Sequence, residues 1–96
     1  MILSLLSALA EPTRLAAIRL LADGDEHCVC ELMAVLNATQ SRLSRHMQTL
    51  KQAGLVIDRR DAQWVRYRLN PELPQNIASV LAAVLNVETK PEKVAA

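Results

Sequence analysis

Two cysteines separated by one residue, Cys28-Val29-Cys30, carry the chemistry most easily named from residue type alone. Thiolates are soft ligands and select soft or borderline ions. The pair is expected to open a short helix over residues 28–36, ended by Asn37. A helix N-terminus lowers a thiol's pKa and favours the ligating form. In a regular helix, positions i and i+2 stand roughly 200° apart, so both sulfurs cannot face one ion. In an extended segment the same spacing puts both side chains on one side. Chelation is therefore expected to unwind the first turn of this helix. Taken alone, the pair reads equally well as two small buried hydrophobes.

A second group of side chains lies further on. Thr39 suits an N-cap and Gly54 a C-terminal glycine, which bounds a helix from about residue 40 to 53. At about 100° per residue, Leu43, Met47 and Leu50 share one face. The other face carries hydroxyls, amides and guanidinium, and no carboxylate stands between Thr39 and Gly54. Such side chains donate to phosphates and reach base edges in a major groove wide enough for a helix. Gln40, Ser41, Arg42, Ser44 and Arg45 are the expected DNA contacts, because the N-terminal part of such a helix points into the groove. His46 borders the apolar stripe and reads as a hydrogen-bonded structural histidine.

The segments LVIDRR and WVRYRL flank a short turn and suit a β-hairpin. Arg59 and Arg60 on its first strand, with Arg66 and Arg68 on its second, form a wing able to hold backbone phosphates. Trp64 and Tyr67 are expected to pack the hairpin, since duplex DNA offers no splayed bases to stack on.

The elements that must position these groups follow from periodicity. Ile2, Leu5, Leu6 and Leu9 recur at helical spacing. Pro12 fits the first position of a second helix, with Leu15, Ile18 and Leu21 turned inward and an end near Asp23–Gly24. After Pro71 and Pro74, the residues Ile77, Val80, Leu81, Val84 and Leu85 form a last apolar stripe. The order α-α-α-α-β-β-α is that of a winged helix-turn-helix, mainly α with a β-hairpin wing. One domain over residues 1–88 and a loose tail over 89–96 are expected.

Composition sets limits. Hydrophobic residues make up 51% of the 96 residues and charged residues 22%, a globular balance. With no Phe, and with Trp64 and Tyr67 as the aromatics, the core must be aliphatic. The net charge of +1 conceals segregation. Residues 39–69 hold seven bases against two acids, a net of +5, and the remainder nets −4. Such a patch is the electrostatic footprint of a polyanion-binding face. No apolar run reaches the roughly 20 residues of a membrane span. No basic residue precedes MILSLLSALA, as a secretory signal requires. A cytoplasmic setting with reduced thiols is the expectation. No triad-like arrangement or glycine-rich phosphate loop points to an enzyme.

Together these residues resemble the ArsR/SmtB family of winged-helix metalloregulators, and within it the arsenical-resistance operon repressors. ALAEPTRLAAIRLL resembles the family's second helix, HCVCEL its thiol box, and SRLSRHMQTLKQAGLVIDRR with WVRYRLNPELP its reading helix and wing. The resemblance implies a homodimer built from the first and last helices, through Leu5, Leu6, Leu9, Ile77, Val80, Leu81 and Val84. It implies repression of a resistance operon and release by arsenite or antimonite on Cys28 and Cys30, with no obligatory cofactor. Many such repressors carry a third cysteine at the position of Met33, so here the third ligand would be water, hydroxide, a cellular thiol or an oxygen such as that of Glu31. The wing turn Asp61-Ala62-Gln63 also lacks the glycine frequent in relatives. The zinc-sensing ligand set of the last helix is missing, since His27 and His46 lie elsewhere. Cd(II), Pb(II) or a thiol-redox signal at the same cysteines are the alternatives.

Overall fold

The computed structural model describes residues 2–87. The expected tail and the last residue of the expected domain lie outside them. The elements are α1 (Ile2–Leu9), α2 (Pro12–Leu21), β1 (His27–Cys28), α3 (Val29–Leu36), α4 (Gln40–Gln52), β2 (Val56–Asp61), β3 (Trp64–Leu69) and α5 (Gln75–Asn86). Helix–turn–helix followed by a hairpin is the expected winged helix. An added feature is β1, a two-residue strand that completes an antiparallel sheet of order β1-β3-β2.

Local chemistry fixes most boundaries. Pro12 opens α2 behind Glu11, whose carboxylate accepts from the Arg14 N–H at 2.8 Å. Helix α2 ends at Leu21, two residues earlier than its periodicity suggests. Asn37 closes α3 in the left-handed conformation (φ 53°), which its short polar side chain tolerates. Thr39 caps α4 by accepting from the Arg42 N–H at 3.3 Å. Gly54, at φ 79°, lets the chain turn sharply from α4 into β2.

The core is aliphatic, as the composition demands. Ile18 and Leu21 of α2, Leu32 of α3, and Leu43, Met47 and Leu50 of α4 are fully buried, and Tyr67 closes the sheet side. On α1 the buried residues are Leu5, Ala8 and Leu9, whereas Ile2, Leu3 and Leu6 stay exposed. On α5 only Leu81 is buried, and Ile77, Val80 and Val84 are half-covered. The expected dimer residues therefore divide. Leu5, Leu9 and Leu81 serve the chain's own core, because periodicity marks an apolar stripe without saying which part of it a neighbouring helix covers. Leu6, Ile77, Val80 and Val84 keep surface for a partner. Among the described residues no helix is long and apolar enough to cross a membrane.

Candidate nucleic-acid interface and thiol site

Helix α4 presents the face that its sequence promised. Gln40, Ser41, Arg42, Ser44 and Arg45 are all exposed, and Leu43, Met47 and Leu50 anchor the opposite side. Among the described residues neither Arg42 nor Arg45 has a carboxylate partner. Both guanidinium groups are free to meet phosphate or base edges.

The wing differs. Arg59 faces Arg66 across the β2–β3 ladder, whereas Arg60 faces Val65. Side chains alternate along a strand, so Arg59 and Arg66 share one side and Arg60 points to the other. Arg59 donates to both oxygens of Glu26, at 2.7 and 2.9 Å, and Arg66 donates to Asp61 at 2.8 Å. The pairing with Arg59 holds the Glu26 carboxyl below its ordinary pKa of 4.5. Of the wing arginines expected to contact DNA, Arg60 projects without a partner among the described residues, and Arg59 and Arg66 are committed within the chain. Arg68 is half-buried, and its Nε has no partner among the described residues. Sequence reasoning missed Glu26, because its partner lies 33 residues away and no local spacing announces it.

The thiol pair sits where β1 becomes α3. Cys28 is extended (φ −65°, ψ 142°) and serves as the N-cap of α3, its sulfur accepting from the Cys30 N–H at 3.3 Å. Cys30 lies in the first turn and is exposed. This strand-to-helix junction brings the Cα atoms to 5.2 Å, and the two sulfurs are joined as a disulfide. Two expectations change. The cysteines are bonded here rather than present as separate thiols, and convergence of the sulfurs requires no unwinding of α3. The reason is that Cys28 stands outside the helix, so the 200° separation of a helical i, i+2 pair does not apply.

Around the pair, His27 bridges two carboxylates, Nε2 to Asp23 at 2.8 Å and Nδ1 to Glu31 at 2.5 Å. Its hydrogen bonds to Asp23 and then Glu31 raise its pKa above 6.5. The spacing of four residues on either side of His27 was the available signal for this bridge. Met33 packs against the core. Glu31, a candidate third ligand, is engaged by His27. Among the described residues no group of three or more His, Cys, Asp or Glu side chains is placed to hold a metal ion. The described residues thus offer two sulfurs and no third ligand in place.

His46 behaves as the structural histidine expected of it. It is half-buried, with Nδ1 3.3 Å from Arg14 Nη1 and 3.6 Å from Glu11.

This combination of reading helix, wing and thiol box coincides with a known family. Residues 11–58, from the cap of α2 into β2, match the model of the arsR family of bacterial regulatory proteins. The chain belongs to the arsR family. It is 45% identical over 83 residues to an arsenic resistance transcriptional regulator of Pseudomonas putida, an alignment covering 86% of this chain and 72% of the relative. It is 39% identical over 79 residues to the arsenical resistance operon repressor of Escherichia coli, covering 82% and 68% respectively. Among solved structures it is similar to a homodimeric winged helix-turn-helix DNA-binding domain from Mycobacterium bovis. That likeness has a TM-score of 0.72 at 29% identity and covers 86% of this chain and 73% of that one. As an arsR-family protein, the chain is a DNA-binding transcription regulator whose α3 and α4 form the helix-turn-helix and whose β2 and β3 form the wing.

Proposed function

We propose that this arsR-family chain is a homodimeric repressor of an arsenical-resistance operon. It binds operator DNA through α4 and the wing, and leaves when arsenite or antimonite bonds to Cys28 and Cys30. One observation carries the sensing half of this reading. Cys28 is both the cap of the helix that supports α4 and a β1 residue paired with Arg66 of the wing. A ligand at this one residue bears on the helix that supports α4 and on the strand edge of the wing. The similarity to arsenic-resistance regulators of Pseudomonas putida and Escherichia coli supports the inducer class.

The chemistry balances simply once the disulfide is reduced by a cellular thiol. Two S–H groups displace two hydroxyls of arsenous acid as water, forming two As–S bonds. The third position on arsenic keeps its hydroxyl or takes an external thiol, since Met33 is committed to the core. A coupling free energy of about 1–3 kcal/mol between this site and DNA would change affinity roughly 5–150-fold.

The bonded state of the cysteines favours one second reading, a repressor responsive to oxidants. There, peroxide takes two electrons from the dithiol to give the disulfide and two waters.

Fluorescence anisotropy on the chain's own promoter DNA tests both readings, with the protein first reduced and then given arsenite, Cd(II), Pb(II) or peroxide. Release by arsenite in the wild type, and none in Cys28→Ser or Cys30→Ser, is the expected result. Release by peroxide alone selects the redox reading, and release by Cd(II) or Pb(II) but not arsenite selects a divalent-metal sensor. Tight binding indifferent to all four returns the cysteines to a packing role.

A further inference from the structure

Arg14 lies in the first turn of α2, and its guanidinium joins two other helices. Nε donates to the Ala8 carbonyl at 2.7 Å and Nη2 to the Ser7 carbonyl at 3.3 Å, both in the last turn of α1. Nη1 lies 3.3 Å from His46 Nδ1 on α4. Arg only donates, so in this contact the acceptor is His46 Nδ1. Arg14's own N–H is held by the Glu11 carboxylate, which also stands 3.6 Å from His46. A planar fork with fixed donors suits such a joint, and a cation is well placed against the carbonyl end of a helix.

The two helices joined have different tasks. Helix α1 exposes Ile2, Leu3 and Leu6, an apolar face, and α4 carries the reading surface with Arg45 next to His46. We infer that Arg14 is a positioning residue for DNA recognition, fixing α4 relative to α1 through His46 and so setting the distance between the two reading helices of a dimer. This rests on the proposed homodimeric DNA-binding function. Two reading helices must meet half-sites one helical turn apart, so a small error in their separation weakens both contacts at once.

The consequence is a dependence on half-site spacing that a purely structural arginine would not produce. The probes are a promoter duplex in which footprinting has located the two half-sites, and a version with the intervening segment lengthened by two base pairs. The wild type should bind the first much more tightly than the second. Arg14→Met should bind the natural spacing about tenfold more weakly, and its ratio between the two duplexes should shrink toward one. Arg14→Lys, a point charge without the fork, should fall between. His46→Leu, which keeps Arg14 on α1 but removes its acceptor on α4, should reproduce the smaller ratio and serves as the test if Arg14→Met does not fold. Dimer dissociation, followed by sedimentation, should be unchanged in His46→Leu. A spacing ratio equal to wild type in the folded variants overturns the assignment, whatever their absolute affinity. A wild type that binds neither duplex overturns the DNA-binding reading itself, and this inference with it.

Discussion

Glu26 holds the Arg59 guanidinium with both carboxylate oxygens, at 2.7 and 2.9 Å, from the residue that leads into β1. The most fully paired base of the wing is therefore tied to the segment that carries the thiol pair. An acid in that position occupies the donors that a DNA phosphate would otherwise take. Substituting Glu26→Gln should free Arg59 and tighten binding to promoter DNA. It should also steepen the dependence of log affinity on log salt by about one unit for each protomer bound, as each added phosphate contact does. Anisotropy titrations at several salt concentrations measure both quantities. Weaker binding with an unchanged slope would mean instead that Glu26 holds Arg59 in its working pose. Thermal stability should move little, because the pair is exposed.

Ala62, at the tip of the wing, has φ 56°. A Cβ in that region costs about 1–2 kcal/mol, and glycine avoids it at some entropic cost in the unfolded chain. Ala62→Gly should stabilise the fold by roughly 0.5–1 kcal/mol and raise Tm by a few degrees. Differential scanning calorimetry decides the matter, and a fall in Tm would count against a strained turn.

Met47 lies beneath the reading face and is fully buried. Its truncation to alanine leaves a void where the neighbouring elements cannot fully collapse. Met47→Ala should cost about 2–5 kcal/mol, read as a lower urea midpoint with an unchanged slope. Affinity for DNA, measured where the variant is still folded, should fall less than for Arg45→Ala.

His27 sets a pH dependence whose sign follows from its partners. Its pKa lies above 6.5 because the hydrogen bonds to Asp23 and Glu31 favour the charged ring. That stabilisation is fully present below pH 6.5 and is lost as pH rises through the raised folded value. Asp23 is shifted down from 3.8, chiefly by its hydrogen bond with His27, so its contribution is present above that value and is lost on acidification. The stability difference between wild type and His27→Gln should therefore be largest in mildly acidic buffer and shrink above neutrality. Urea denaturation across that range checks it, and a difference that grows with pH would contradict the bridge.

How far the fold could be read from the residues depended on the range of the interaction. Thr39, Asn37, Gly54 and Pro12 act on their own neighbours in the chain, and each stands where its chemistry predicted. The reading face of α4 was legible for the same reason, since absence of acid is a property of one segment. Strand β1 was not, because two residues give no periodicity and pair only where β3 offers an edge. Leu5 and Leu9 misled because a helical stripe looks alike whether it meets the chain's own core or a second copy. Arg59 and Arg66 looked free until Glu26 and Asp61 were placed beside them. The thiol geometry turned on a single boundary, with α3 beginning at Val29 rather than at Cys28.

Strand β1 is only His27 and Cys28, held at one edge of the sheet. So short a pairing belongs to the least stable part of a fold, where local opening occurs far more often than global unfolding. Releasing it breaks the backbone link between thiol site and wing while Leu32, Leu43 and Met47 stay packed. If Cys28 and Cys30 sense a ligand as proposed, the response can follow the rate of a fraying edge rather than the rate at which the core melts.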